Sequence, residues 1–368
     1  MYDYVIVGAG SAGCVLAARL TEDPDVSVLV LESGPPDTNQ NIHVPLGYLQ
    51  LGRTEIDWDL ATAPEPFCDN RRIPLPRGRV LGGSSSMNAM VYIRGNRADY
   101  DGWGIPGWSY DDLLPYFIKA EDNERGASEF HGAGGPLPVS DSRSRNPMAV
   151  AFAEAGVEAG FPANDDFNGA TQDGFGLYQV TQRNGMRASA AVAYLHPAME
   201  RPNLTVMPYM HVHRVLFEGT RAVGVAAAQL GQVNEFRAER EVILCGGTYN
   251  SPQLLTASGI GRGEELTALQ IPIVAELPGV GMNLQEHANV WLRWDTDEPV
   301  TLFGALTEEN MALFEQGTGP LTSNAAETGG FARTSADLAA PDMQFHMFPG
   351  PFEEDGPASA HGFAACVC

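Results

Sequence analysis

The sequence predicts an α/β protein: a parallel sheet covered on both faces, then a second, α+β domain built on an antiparallel sheet and incomplete here. Three observations predict it. Residues 1–34 alternate strand, glycine-rich turn, helix and strand; strand-like runs return between 204 and 245; and the texture changes again from about Trp291. Tyr4-Val5-Ile6-Val7 and Val26 to Leu31 are continuous apolar runs, as expected of strands buried on both faces. Between them Gly8 to Gly13 forms a turn and Ser11 to Leu20 a helix of small residues, so the segment is a βαβ unit of the Rossmann type. Scattered prolines from Pro35 to Pro76 suit an excursion across the surface, and residues 126–147, rich in Gly, Ser, Pro and charge, suit a loop or lid. Leu204 to Met207, Val212 to Phe217 and Ala222 to Ala227 predict a small antiparallel sheet, and Glu241 to Cys245 brings the chain back to the parallel one before Gly246-Gly247. A helix over Ser251 to Ser258 has Pro252 in its first turn and Gly259 closing it. Trp291 to Trp294 and Met343 to Phe348 read as strands, and Glu308 to Gln316 as a helix. The first domain is therefore expected over 1–290, its core mainly 1–34, 76–100 and 204–290, with the second opening at 291–368. Gly362 to Cys368 reads as a strand that stops without a turn or polar tail, which predicts an interrupted chain and a paired strand.

Composition narrows the function. Of 368 residues, 44% are apolar and 18% charged, which is globular composition. Lys and Arg number 22 against 46 Asp and Glu, a net charge of −24 that repels phosphate backbones and anionic headgroups, so nucleic acid is not an expected partner. No apolar run approaches the roughly 18 residues of a membrane span, and the chain opens on an apolar strand without a basic leader, so a cytoplasmic protein is expected. Five cysteines, an odd number, argue for reduced thiols rather than a disulfide framework.

Gly8-Ala9-Gly10-Ser11-Ala12-Gly13 fits G-x-G-x-x-G between strand and helix, and Glu32 ends the following strand. Gly8 permits the tight turn, Gly10 the approach of a pyrophosphate and Gly13 close helix–strand packing, while the helix start supplies unpaired N–H groups. Glu32 would accept hydrogen bonds from an adenosine ribose and repel a 2′-phosphate, which disfavours NADP. The fingerprint alone leaves NAD and FAD open. A second glycine-rich stretch, Arg77 to Met90, carries Gly82-Gly83-Ser84-Ser85-Ser86, a loop able to lay N–H groups against a flat, hydrogen-bonding ligand.

Taken together these residues resemble the glucose–methanol–choline (GMC) oxidoreductase family, which uses FAD, in its choline dehydrogenase-like and alkanol dehydrogenase branch. Gly78 to Asp101 is similar to the family's first signature, Gly247 to Gly261 to its second, and Gly279 to His287 to a third stretch. The resemblance implies that Gly8, Gly10, Ser11, Ala12 and Gly13 hold the pyrophosphate, Glu32 the ribose, and Val212 and Trp58 the adenine end. It also implies that Val80, Gly83, Asn88, Ala89, Met90 and Val91 line the flavin. Met87 stands where some relatives carry the histidine that attaches FAD, and a thioether cannot form that bond, so binding is expected to be noncovalent.

The implied reaction is oxidation of a primary alcohol, choline-like or an alkanol, to an aldehyde, with hydride passing to flavin N5 and a base taking the hydroxyl proton. The resemblance places that base on a histidine in a carboxy-terminal segment beyond this chain's end, so the catalytic residue is unknown here. A flavin-containing lyase cleaving cyanohydrins and a non-catalytic FAD-binding fragment are the alternative readings, and the electron acceptor, quinone or oxygen, is open. Of the eight histidines, His211 and His213 alternate on one strand without a third ligand, so no metal site is expected. His346, in a run of Phe and Met, is the one to test as a pocket residue, against the alternative of a satisfied core histidine.

Overall fold

The amino-terminal apolar runs pair as the sequence predicts. In the computed structural model, which describes residues 1–350 and 360–368, the strand Tyr2–Val7 lies parallel to Val28–Leu31, with Val5 opposite Leu29 and Val7 opposite Leu31. All four residues of Val28–Leu31 are buried, which is why this strand carries no polar alternation. The chain divides into two units, one of residues 1–42, 49–87 and 189–286, the other of 43–48, 88–188 and 287–368.

The first unit is built on a six-stranded sheet in the order 204–207, 28–31, 2–7, 232–244, 221–229, 211–218. Its first four strands are parallel and its last three form an antiparallel meander. The 13-residue strand Gln232–Leu244 belongs to both halves: its start pairs antiparallel with Arg221–Gln229 and its end runs parallel to Tyr2–Val7. Leu204–Met207 departs from expectation, since it extends the parallel edge beside Val28–Leu31 instead of joining the meander. The Asn203 side-chain amide is responsible, donating to the carbonyls of Thr21, Asp23 and Val26 and so pinning the strand's entry beside the first βαβ unit. The helix Ser11–Leu20 falls where predicted. The later helix, Gly247–Ala257, starts four residues ahead of Ser251, because Gly247 at φ +81° turns the chain sharply out of the strand. Val5, Val7, Leu29, Leu31, Val215 and Val225 form the core between sheet and helices.

The second unit holds a five-stranded antiparallel sheet in the order 290–295, 362–367, 343–348, 328–332, 174–177. The boundary expected at residue 290 therefore differs from the observed division. Gly174–Leu177 pairs with Thr328–Ala332, which draws residues 88–188 into the same unit as 287–368. Sequence patterns report local structure and carry no trace of a pairing 150 residues apart. Gly362–Val367 is paired on both sides, with Val290–Asp295 and Met343–Phe348. The expected lid at 126–147 contains the strand Leu137–Asp141, which pairs with Glu121–Asn123 and Gln179–Val180. Beside it sits a buried polar cluster: Arg94 donates to Glu121 at 2.9 Å, and His131 bridges Glu121 at 2.9 Å and Asp166 at 3.1 Å through its two ring nitrogens.

Candidate functional site

In the first unit a cavity of about 760 Å³ opens at the carboxyl ends of the parallel strands, walled by Val7, Leu31 and Leu244. This is where open α/β sheets place ligands. Two helix starts meet its wall: Gly10, Ser11 and Ala12 from one, Gly246, Gly247 and Thr248 from the other. Neither helix has a side-chain cap or an acidic residue in its first turn. Their first N–H groups and positive dipole ends are thus left for an anionic ligand.

The glycines are required by contact. A Cβ on Gly13 would lie 1.9 Å from the Gly8 carbonyl oxygen, so helix and strand could not stay as close as they do. Gly8, at φ +97°, faces the Cys245 carbonyl in the same way. The serine-rich bend is a short 3₁₀ turn, Gly83–Ser86, lying against the first loop: Gly82 N–H donates to Ala9 C=O at 2.8 Å, and a Cβ on Gly83 would be 2.7 Å from Gly10 Cα. Its hydroxyls are engaged within the protein: Ser84 accepts from Gly78 N–H, Ser85 and Ser86 donate to the Gly82 and Leu81 carbonyls, and Ser85 also accepts from Ala190 N–H. Gly83 and Ser84 line the cavity, whereas Val80 is wholly buried in the core.

Glu32 closes one end. It is 6% exposed, and its carboxylate accepts from Ala9 N–H and Gly34 N–H, each at 2.8 Å. Burial pushes its pKa up, against the lowering effect of those two N–H donors. Trp58 and Val212 line the same wall. The Trp58 ring lies 5.8 Å from His211 and carries the Arg79 guanidinium at 5.3 Å. His211 and His213 meet edge to face at 4.8 Å, and His211 Nδ1 is 2.9 Å from Ser33 Oγ. Sequence reasoning missed Arg77, Tyr249 and the Gly246–Ser251 turn as cavity residues. The adjacent glycines after an apolar strand were the available signal, since they repeat the strand–turn–helix logic of the first loop. Cys245 also lines the cavity, its thiol pushed up to about 11 by burial.

Asn88, Ala89, Met90 and Val91 belong to the second unit. Asn88 Oδ1 accepts from Met90 N–H and from Arg187 Nη1, and Ala89 C=O accepts from Asn324 Nδ2. Met90 adopts φ +57° and is buried. In that unit Gln182 Oε1, Asn324 Oδ1 and His346 Nδ1 are buried without a hydrogen-bond partner among the described residues. His346 lies 5.5 Å from the Tyr178 ring, and burial lowers its pKa to about 4, so it is neutral near pH 7.

Comparison with known proteins agrees with this geometry. A family model described as GMC oxidoreductase matches residues 2–289. An oxygen-dependent choline dehydrogenase of Paraburkholderia phytofirmans is 46% identical over 383 residues, covering the whole of this chain and 68% of the relative. The mitochondrial choline dehydrogenase of Homo sapiens is 47% identical over 371 residues, covering 96% of this chain and 62% of the relative. Among solved structures, a pyridoxine 4-oxidase from Mesorbium loti superposes with TM-score 0.86 at 30% identity, over all of this chain and 71% of that one. A formate oxidase gives TM-score 0.88 at 26% identity, over all of this chain and 72% of that one. Among the described residues no helix is long and apolar enough to cross a membrane.

Proposed function

The chain belongs to the GMC oxidoreductase family, and on that premise we propose that it serves an FAD-dependent oxidation of a primary alcohol, choline-like or an alkanol, to the aldehyde. The observation that carries the reading is the cavity of the first unit, where two uncapped helix starts, a glycine-only contact between loop and strand, and a buried carboxylate at the far end form a cradle for an adenine dinucleotide. FAD is the cofactor. Gly8, Gly10, Ser11, Ala12 and Gly13 hold its pyrophosphate, Glu32 its ribose, and Trp58 and Val212 its adenine. Gly83, Asn88, Ala89, Met90 and Val91 would line its ring, Val80 would support the bend from behind, and Met87 makes attachment noncovalent.

Bound FAD supplies a hydride acceptor at flavin N5. The chain's own part is to orient and to desolvate. Backbone N–H groups at the helix starts would hydrogen-bond the diphosphate and offset part of its charge. In the second unit His346 presents a neutral imidazole whose buried Nδ1 has no partner among the described residues, a group suited to hydrogen-bond an alcohol hydroxyl. The location proposed is the cytoplasm, and fractionation into mitochondria would overturn it.

The test is anaerobic. The purified chain is reconstituted with FAD and mixed with choline and with short alkanols while flavin absorbance near its long-wavelength band is followed. FAD binding with only slow bleaching by one alcohol class supports the proposal; a chain that stays colourless after reconstitution overturns it. Colour with cyanohydrin cleavage and no flavin reduction would instead establish the lyase reading. His346→Ala should raise KM for the alcohol about tenfold, the cost of one buried hydrogen bond, and leave FAD affinity unchanged.

A further inference from the structure

The function above leaves the two cysteines of the last strand unused, and their arrangement differs from that of the other three. Cys14 is buried, its thiol held up to about 12 by burial, and Cys245 is raised to about 11 for the same reason, so neither offers a thiolate near neutral pH. Cys68 has no second sulfur within reach among the described contacts. Cys366 and Cys368 stand two residues apart on an extended segment, so their side chains project from the same face. Their sulfurs are 3.7 Å apart.

Three further contacts fix the pair. Cys368 exchanges both backbone hydrogen bonds with Gln344, at 3.0 and 2.8 Å, which extends the ladder to this residue. Cys368 Sγ donates to Asn289 Oδ1 at 2.8 Å, which orients the sulfur. Cys366 is buried, opposite His346 on one neighbouring strand and Trp291 on the other. The Cys366 S–H is placed to donate to the Cys368 sulfur, and this bond draws the Cys368 thiol below its usual range. Loss of the Cys368 proton from Asn289 leaves a thiolate that accepts the Cys366 S–H, with the second sulfur adjacent. An attacking and a resolving thiol need that adjacency.

We propose that Cys366 and Cys368 form a peroxide-sensitive dithiol that closes to an intrastrand disulfide. The Cys368 thiolate attacks a hydroperoxide, the O–O bond breaks, and the sulfur becomes a sulfenic acid as water or an alcohol leaves. The Cys366 thiol then attacks that sulfur, expelling water and forming the S–S bond. Two thiols are oxidised by two electrons and one hydroperoxide is reduced. Alternate residues of a strand are about 6.7 Å apart at Cα, near the upper limit for a disulfide, so the bridge is strained and easily reduced.

The test uses the full chain and hydrogen peroxide. Native protein is treated, thiols are titrated after denaturation, and the tryptic peptide from Thr334 to Cys368 is weighed. The expected result is two fewer thiols than the five of the untreated chain, a peptide lighter by two hydrogens with Cys366 linked to Cys368, and full reversal by dithiothreitol. Cys366→Ala should leave Cys368 to gain oxygen, with no reversible loss of mass, and its circular dichroism should match the parent. Oxygen added to Cys368 in the unsubstituted chain, a disulfide between two chains, or an unchanged thiol count would each overturn the proposal.

Discussion

At the scale of single residues the candidate site is governed by how close backbone comes to backbone. Gly13 touches the Gly8 carbonyl so tightly that one methyl group has no room. Gly13→Ala should therefore force the first helix away from its strand, at about 1–3 kcal/mol, read as a lower urea midpoint, together with loss of FAD retention on gel filtration. Glu32 acts differently. It accepts two backbone N–H bonds that shape the loop beside it, and hydrogen bonds to a charged group contribute about 1.5–3 kcal/mol. Glu32→Ala should weaken FAD binding by roughly tenfold to a hundredfold, as measured by quenching of flavin fluorescence. Both residues were legible in the sequence, because a glycine fingerprint with an acid at the end of the next strand states its own geometry. Arg77 and Tyr249 were not: they reach the cavity from segments whose neighbours in space are far away in sequence.

At the scale of elements the second unit offers a test in pH. His131, on the segment between Glu121–Asn123 and Leu137–Asp141, is held by Asp166 and Glu121, and these bonds raise its pKa from 6.5 to about 9. Arg94 faces the same Glu121 carboxylate, and Asn123 is bonded to Glu121 and His131. A histidine whose folded pKa is raised contributes stability that is complete below about 6.5 and is lost as pH rises through about 9. The carboxylates of Glu121 and Asp166 are lowered, so their contribution is lost on acidification instead. The melting temperature should thus fall between pH 7 and 9.5, and His131→Gln should be less stable at pH 7 yet flatter across that range. An unaltered slope in the variant would refute the assignment. Elements were the most readable level of this chain. Ser11–Leu20, Met343–Phe348 and the helix Glu308–Glu315 lie within a residue of expectation, because period and caps are local. What escaped was partnership: the edge position of Leu204–Met207 depends on Asn203, whose side chain acts on carbonyls some 180 residues earlier.

For the whole molecule, charge and cofactor are linked. A protein of net charge −24 that takes up a diphosphate does so against its own field. Salt shortens that field to about 8 Å at physiological ionic strength, so the rate of FAD association should increase as salt is added, the reverse of a protein that attracts its ligand through surface lysines. Stopped-flow fluorescence at several salt concentrations checks this. At equilibrium FAD at 100 times its Kd should add about 2.7 kcal/mol to stability, visible as a higher melting temperature that the same concentration of NADP does not reproduce. The chain spans about two thirds of the length of its curated relatives.

The long strand Gln232–Leu244 gives that cradle its floor while its opening half is committed to a hairpin. A ribbon shared in this way couples the opening of one end to the other. Loosening the meander would slacken the peptide that carries Cys245 to the cavity wall, and occupancy of the cavity would in turn stiffen the Arg221–Gln229 arm paired beside it. Amide deuteration in the Arg221–Gln229 arm is thus a remote gauge of whether the cradle is filled.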